Sequence, residues 1–546
     1  MASVSTAAPE VAEDHGLKRE VGIIGLIWAS EGSIIGSGWL FGALFAAKAA
    51  GPAAVLSWII ATIAVVVIAM VLSELGAMYP VVGGTGRFPH YAYGSAAGAS
   101  FGWFSWLQAA AAAPIEVLAL MSYGSVHLPW LIQQTGASKG QLTAAGYGIS
   151  VAFMAVFVGI NFFGIRWLAR TNSAATWWKV AIPLLLIAVL LMTHFHTSNF
   201  SAAGGFAPYG ARGVLYAIST AGVMFALNGF EQADQLAGEA KHPQRDIPRA
   251  IIGAVLIGAA IYLLLQIVFI LALPKTTLAH GWAALSFTGD AGPFAGLATL
   301  LGLGWLATIL YIDAIISPSG SGLIYTTTTS RISFGLSRNG YVPAIFEKTD
   351  QRGVPWFSLI FTFIAGLIFF LPFPSWHQLV GFITSASVLM YAGGPLAFGA
   401  LRKQQPRAAR PYRMPAGGFW SPVAFIIANL IIYWSGWNVI WRLGAAIVLG
   451  YVLIGLSIAF KANPNTPSLD WKSAQWLPAY LIGLGIISWQ GTFGTGAAGH
   501  LGLWWDILVI AVFSLVIYYW AIAVRLPDAK AEEYISHHHL RSQPGE

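Results

Sequence analysis

Polar side chains recur at every third position inside an apolar stretch that begins near residue 211. They are Asn228, Glu231 and Asp234. This spacing can place all three on one face of a helix. Because a carboxylate among apolar side chains is costly unless it is paired or neutralised, such a residue is a functional-site candidate. Glu231 is therefore our first candidate for proton coupling or gating.

Glycines interrupt a second apolar stretch, nearer the start of the chain. Residues 32–38 read Gly-Ser-Ile-Ile-Gly-Ser-Gly, and each glycine weakens a helix by about 1 kcal/mol relative to alanine. A helix that breaks at membrane depth leaves backbone N–H groups free to bind an anion such as a carboxylate, provided that they line a cavity. The alternative is that the glycines only allow two helices to pack closely.

Lys179 is the only basic residue well inside the apolar runs, between Trp178 and Val180. An ammonium there either finds a partner or gives up its proton, which suits proton coupling. The alternative is a lysine that extends to the membrane interface. Three further carboxylates lie in apolar runs, and after Glu231 we rank them in this order: Glu31 and Glu116, then Asp313.

The composition requires a lipid environment for these stretches. Hydrophobic residues make up 57% of the 546 residues and charged residues 9%, against about 25% charged residues in a soluble domain. The apolar runs are about 20 residues long, the length of a membrane-spanning helix. The absence of cysteine excludes disulfides and thiolate metal sites. We therefore predict an all-α membrane protein that needs no cofactor or metal ion.

We predict about fourteen transmembrane helices. In chain order they lie near 22–47, 53–79, 95–126, 144–165, 174–193, 211–238, 250–273, 300–330, 355–372, 377–400, 419–440, 442–460, 474–492 and 502–524. With Met1 in the cytoplasm, 22 of the 28 lysines and arginines fall in cytoplasmic segments, 5 fall on the other side, and Lys179 lies within a span. The positive-inside rule therefore predicts that both termini are cytoplasmic. The net charge of +7 reflects this topology and not nucleic-acid binding.

The two interrupted stretches are the first and the sixth predicted span. Interrupted helices five spans apart are typical of transporters built from two inverted five-span repeats, with the binding site near the middle of the membrane. The spacing therefore predicts a five-plus-five inverted-repeat transporter core with broken helices 1 and 6.

Besides the spacing of the interrupted spans, four sequence motifs support this interpretation. They are residues 32–38; Phe230-Glu231 with Ala237-Gly238-Glu239, Pro243, Arg245, Pro248 and Arg249; Glu74-Leu75-Gly76 with Pro80 and Gly83-Gly84; and Ser330-Arg331 with residues 336–340 and Pro343. As a set they resemble the amino acid-polyamine-organocation superfamily over roughly residues 20–400. Residues 32–42 and 113–116 also resemble the bacterial aspartate-proton symporter-type permeases of that superfamily.

The resemblance implies a division of the chain into five parts. Residues 1–20 would form a cytoplasmic tail, and residues 21–400 would form the ten-span transport core. Residues 401–462 would hold spans 11 and 12, residues 463–525 two additional spans, and residues 526–546 a second cytoplasmic tail.

The resemblance also implies where an amino acid would bind. The residues that would meet its carboxylate are Ile35, Gly36, Ser37 and Gly38. Those whose carbonyls would face its ammonium are Ile34, Phe225, Ala226 and Asn228. Phe225 matches an aromatic gate, with an ordinary packed aromatic as the alternative, and Asn228 would give the side-chain pocket a polar contact. Lys179 resembles the span-5 lysine of proton-coupled members.

These interpretations predict a secondary transporter, not an enzyme, that would import an amino acid with a proton across the bacterial inner membrane. Its expected partners are the amino acid, the proton and the lipid bilayer, with no nucleic acid and no obligate protein partner. A proton-independent amino acid exchanger and a polyamine or organocation carrier remain open as alternatives. A channel or an intramembrane enzyme is disfavoured, because neither a repeated pore motif nor a catalytic motif such as H-E-x-x-H is visible.

Overall fold

The computed structural model describes residues 21–80, 84–136, 138–163, 165–287 and 292–541. The predicted tail at 1–20, the last five residues of the second tail, and Gly83 of the second-span motif lie outside the described residues. The α-helices of the described part are α1 (Ile23–Ile34), α2 (Gly38–Ala50), α3 (Ala54–Met78), α4 (Gly84–Tyr93), α5 (Ser95–Gly124), α6 (Ala144–Phe162), α7 (Ile165–Thr193), α8 (Gly210–Thr220), α9 (Val223–Ala226), α10 (Gln232–Gln235), α11 (Pro243–Ala272), α12 (Pro293–Leu300), α13 (Gly304–Arg338), α14 (Trp356–Phe369), α15 (Trp376–Gln404), α16 (Gly417–Trp434), α17 (Trp437–Ala459), α18 (Trp471–Ala474), α19 (Trp476–Gln490), α20 (Leu503–Ala523) and α21 (Asp528–Arg541).

Ten helical stretches of the described residues are long and apolar enough to cross a membrane. They are α2 continued into α3, α5, α6, the segment Ala175–Thr193 of α7, α11, α13, α15, α16, α17 and α20. The helices α1 and α14 are also apolar but have 12 and 14 residues, and a complete span needs about 20. The predicted all-α character is therefore confirmed for the part of the chain that the structure describes.

Two of the predicted spans are interrupted. The span predicted at 22–47 consists of α1 and α2, with residues 35–37 between them. The span predicted at 211–238 is divided into α8, α9 and α10, and residues 227–231 are not α-helical. The prediction that Asn228, Glu231 and Asp234 share one helical face is therefore wrong. Asn228 and Glu231 lie in the non-helical segment, where Gly229 adopts a φ of 113° that turns the chain out of the helix.

The helices α5 and α15 form the centre of the bundle. The most apolar window of each is completely enclosed by other parts of the chain. Gly102 of α5 has no room for a side chain, because a Cβ there would lie 2.6 Å from Leu336 of α13. Small residues at such positions allow helices to approach closely. The close packing matters for the site because α5 carries Glu116 and α13 carries Ser321.

The chain beyond the predicted core returns to the start of α5. Asp470 accepts hydrogen bonds from the Ser95 backbone N–H (3.1 Å) and the Tyr534 hydroxyl (2.7 Å), and it pairs with Lys530. Burial raises the pKa of Asp470, but hydrogen bonds from Lys530, Tyr534 and Ser95 outweigh it and leave the pKa below its ordinary value. This cluster of four residues, which we call the tail junction, connects α21 and the segment before α18 to α5.

Candidate functional site

The first helix break lies between Ile34 and Gly38. Helix α1 ends because Ile35 adopts φ −86° and ψ 82°, and the Gly36 N–H donates to the Ile34 carbonyl (3.1 Å) in a tight turn. A Cβ on Gly36 would lie 2.6 Å from the Glu116 carboxylate. Glycine is therefore required here by the crowding around it.

The second break packs directly against the first. Gly229, at φ 113°, lies so close to α1 that a Cβ on it would be 2.8 Å from the Ser33 carbonyl carbon. A Cβ on Gly38 would likewise lie 2.8 Å from the Ala226 Cα. The glycines thus bring the second break against the end of α1 and the start of α2 against α9, so the two interrupted spans meet at their breaks.

A buried cavity lies between the two breaks. Its free volume is about 10 Å³, room for about one water molecule, so this conformation is closed around the site. Among the predicted binding residues Ile34, Gly36, Gly38, Phe225 and Asn228 line it, and Glu116 of the predicted coupling set lines it as well. The other lining residues, which the sequence analysis did not assign to the site, are Ser33, Gln108, Tyr325 and Ile383.

The polar groups of Ser37 are both engaged within the protein. Its backbone N–H donates to Glu116 Oε2 (2.8 Å), and its hydroxyl accepts a hydrogen bond from Trp376 Nε1 (2.8 Å). Ser37 immediately precedes α2, where the unpaired N–H groups of a helix N-terminus attract negative charge. Glu116 therefore supplies a carboxylate at the point where the sequence predicts the carboxylate of a bound amino acid.

The acceptor side of the cavity is formed by Ile34 and by the second break. The Ile34 carbonyl accepts a hydrogen bond from the Tyr262 hydroxyl (2.7 Å). Asn228 donates through Nδ2 to the Ser387 hydroxyl (3.0 Å), while its Oδ1 is buried without a partner among the described residues. The cavity therefore keeps an unused amide-oxygen acceptor, and a buried acceptor of this kind is costly unless something donates to it.

Lys179 is completely buried and reaches the first break. Its ammonium donates to the Gly32 carbonyl (2.8 Å) and to the Ser321 hydroxyl (2.9 Å), and that hydroxyl is also 3.2 Å from the Gly32 carbonyl. The alternative of a lysine that extends to the membrane interface is therefore wrong.

The remaining buried carboxylates differ in their hydrogen bonds. Glu231 Oε2 accepts hydrogen bonds from the Gly229 N–H (3.0 Å) and the Tyr391 hydroxyl (2.7 Å). Glu31 and Asp234 are fully buried, and none of their carboxyl oxygens has a hydrogen-bond partner among the described residues. Because an unpaired buried carboxyl is costly to ionise, Glu31 and Asp234 both qualify as proton carriers, and the sequence analysis had ranked only the first of them.

Four partner residues of the site were missed by the sequence analysis. They are Tyr262, Ser321, Trp376 and Tyr391. They are serine, tyrosine and tryptophan residues of long helices, and no spacing pattern distinguishes them from neighbours of the same types. Within the described part of the chain, no group of three or more histidine, cysteine, aspartate or glutamate residues could hold a metal ion.

Comparison with known proteins identifies the family. The sequence model described as amino acid permease matches residues 21–454. The chain is 38% identical over 513 residues to the glutamate/serine transporter AimA of Bacillus subtilis, covering 93% of this chain and 94% of that protein. It is 35% identical over 521 residues to the aspartate-proton symporter of Bacillus subtilis, covering 95% and 99%. It is 27% identical over 471 residues to the branched-chain amino acid permease BcaP of the same organism, covering 84% and 96%. These matches confirm the predicted resemblance, and the chain belongs to the amino acid permease family of multi-pass membrane transporters.

Proposed function

We propose that the chain imports an amino acid together with a proton, by alternating access across the bacterial inner membrane. Two relatives support this function: one is named for glutamate and serine transport, and the other for aspartate-proton symport. The family match at 21–454 includes both helix breaks and the lysine that contacts the first of them. The proposal therefore assigns substrate binding to the breaks and proton coupling to the charged residues around them.

The proposed architecture has fourteen spans in two inverted five-span repeats followed by four helices. The helix order supports this count when each interrupted set is one span: α1 with α2, α3, α5, α6, α7, α8 with α9 and α10, α11, α13, α14, α15, α16, α17, α19 and α20. The transport core is 21–400, with spans 11 and 12 at 401–462 and two additional spans at 463–525. An even span number and the bias of basic residues fit cytoplasmic tails at 1–20 and 526–546.

The substrate carboxylate would bind at the break between α1 and α2, on the backbone of residues 35–38. Glu116 accepts the Ser37 N–H in the closed conformation, so the carboxylate of a substrate and that of Glu116 compete for the same donor. Substrate entry then requires Glu116 to withdraw or to take up a proton. This competition would link amino acid binding to protonation at a single residue.

The substrate ammonium would bind on the acceptor side of the cavity. The proposed acceptors are the carbonyls of Ile34, Phe225, Ala226 and Asn228, together with the unpartnered Asn228 Oδ1. Phe225 would cover the bound molecule. The amides of Asn228 and Gln108 give the cavity two neutral polar groups, which fit a small polar or acidic side chain better than a large aliphatic one. Glutamate, aspartate and serine are therefore the substrates to test first.

Proton coupling would involve four residues. Lys179 holds the Gly32 carbonyl and so would fix the binding-competent shape of the first break when it is charged. Glu116 would exchange its place with the substrate carboxylate, and Glu231 would connect the second break to protonation. Glu31 lies in α1, where its buried carboxyl has no hydrogen-bond partner in the described part of the chain, and it would carry a proton close to the same break.

The close approach of the two helix breaks carries this proposal: they flank one cavity lined by Gly36, Gly38 and Glu116, and Glu116 accepts the Ser37 N–H. The test is competition for uptake into proteoliposomes by free amino acids and by their carboxamides. We expect the free acids to compete and the amides to fail, because the amide oxygen can accept this N–H but lacks the negative charge that a helix N-terminus favours. Equal competition by the amides would contradict the assignment.

A proton-independent exchanger is the second candidate, because the site could also bind and release amino acids without a proton. Counterflow and net uptake, each measured with and without a pH gradient, separate the two. A symporter accumulates substrate only when the gradient is present, whereas an exchanger shows counterflow alone under both conditions.

A further inference from the structure

A long apolar groove runs along the outside of the bundle, away from the candidate site. Its volume is about 700 Å³. Helices α17 and α19 form its walls, for example at Leu443, Ile447 and Leu481, and α5 and α15 form its floor, at Ala99 and Leu389. The groove is therefore a feature of the helices that follow the transport core, at their contact with the core.

The polar atoms inside the groove are already satisfied. The Tyr451 hydroxyl donates to the Ser100 hydroxyl (3.0 Å), which in turn donates to the Ala96 carbonyl (2.8 Å). Water in the groove would find few groups to bind, and an apolar cavity of this kind favours an apolar occupant.

Glycines keep the groove open. Gly444 and Gly455 of α17 and Gly485 of α19 line it, and a Cβ on any of them would have no other atom within 4 Å. Val448 and Ile482 line its edges and are 61% and 64% exposed. Because α17 is apolar enough to span a membrane and only 33% of its apolar window is buried, the groove opens sideways into the hydrocarbon of the bilayer.

Both ends of the groove carry the residues typical of membrane interfaces. Trp437 and Trp441 line one end and Trp471 lines the other, and tryptophan is enriched at the level of lipid headgroups. The 23 residues of α17 extend about 35 Å, enough to cross the hydrocarbon layer. Lys472, next to Trp471, is exposed at its end of the groove, where a cation attracts anionic headgroups.

We propose that this groove binds an anionic phospholipid, with its acyl chains along α17 and its headgroup at Lys472. The apolar lining and the open glycines accommodate the chains, and the tryptophan and lysine at the Trp471 end match the headgroup. The bound lipid fills the space between α19 and the core helix α5. It thereby stabilises the packing of the additional spans on the transport core.

The test compares the wild type with Gly455→Leu, which adds a side chain inside the groove at a position where a Cβ would have none of the described atoms within 4 Å. Gly159→Leu is the matched control, because Gly159 lies in another membrane-spanning helix, α6, and also faces open space. Each protein is purified in mild detergent, and the phospholipid that remains bound is identified by native mass spectrometry. We expect bound phosphatidylglycerol on the wild type and on Gly159→Leu, and its loss from Gly455→Leu.

A second variant separates the headgroup from the chains. In Lys472→Gln we expect lipid to remain bound but phosphatidylglycerol to lose its advantage over phosphatidylcholine, both in mass spectra and in the rise of the thermal unfolding midpoint on lipid addition. Equal retention of lipid by Gly455→Leu and the wild type would overturn the proposal. A wild-type dimer that dissociates in Gly455→Leu would also overturn it, because the occupant would then be a second copy of the chain.

Discussion

Replacing Lys179 by methionine tests how the first helix break is held. The methionine keeps an unbranched side chain in the buried space but removes the ammonium that donates to the Gly32 carbonyl (2.8 Å) and the Ser321 hydroxyl (2.9 Å). A hydrogen bond from a charged group contributes about 1.5–3 kcal/mol. If the bond to Gly32 fixes the binding-competent break, its loss weakens substrate binding by about 10- to 150-fold.

The assay measures substrate binding and pH-gradient-driven uptake by Lys179→Met in proteoliposomes. Because coupling between two sites is reciprocal, a lysine that links proton and substrate makes binding depend on pH in the wild type. We expect Lys179→Met to bind weakly with a flat pH profile and to accumulate little substrate. Accumulation at the wild-type level would show that Lys179 does not couple the proton to the substrate. Glu116 or Glu231 would then be the coupling residue.

The matched control is Ser321→Ala, which removes one partner of the ammonium and leaves its charge and its bond to the Gly32 carbonyl. We expect this variant to lose less affinity than Lys179→Met and to keep the pH dependence of binding. If both variants lose the pH dependence to the same extent, the charge of Lys179 does not couple proton binding to substrate binding.

Three further predictions test other parts of the site and the fold. Gly36→Ala should lower counterflow by about 5- to 150-fold, because relieving a Cβ placed 2.6 Å from the Glu116 carboxylate costs about 1–3 kcal/mol; counterflow at the wild-type rate would show that the site tolerates a side chain at residue 36. Glu231→Gln should reduce gradient-driven uptake more than counterflow, and equal losses would remove Glu231 from proton coupling. Asp470→Asn should lower the free energy of unfolding by about 1 kcal/mol near neutral pH. Because the folded state lowers the pKa of Asp470, its stabilisation is complete above the ordinary carboxyl pKa of about 4 and is lost as the pH falls through the folded-state pKa. The difference between Asp470→Asn and the wild type in thermal unfolding should therefore shrink in acid, and a constant difference would contradict the ion pair with Lys530.

The features that could be predicted from the sequence are those that cost free energy within a few neighbouring residues. Three glycines in seven residues, and a lysine in an apolar run, stand out without any knowledge of tertiary structure. The hydrogen bond of Trp376 to Ser37 joins residues 339 positions apart, and that of Tyr262 to Ile34 joins residues 228 apart. No local pattern contains such pairs, because only the packing of distant helices brings them together.

The sixth span was predicted to be broken, but the prediction that Asn228, Glu231 and Asp234 share one helical face is wrong for a local reason. A period of three suggested that face, whereas the single Gly229 between them adopts a backbone conformation that a helix excludes. Glycine permits both conformations at similar cost, so the choice depends on contacts with Ser33 near the end of α1. The helix of the eighth predicted span also continues past the predicted end near 330, because α13 extends through Ser330-Arg331 to Arg338.

In the proposed mechanism, one amino acid enters with a proton through the cavity between the two breaks. Its most direct test is a pH-sensitive dye trapped inside proteoliposomes that contain the wild-type protein, with glutamate, aspartate or serine added outside. We predict that a transported amino acid acidifies the lumen, and that Lys179→Met abolishes the acidification. Robust counterflow of the same amino acid without any change in luminal pH would contradict proton symport and identify an exchanger.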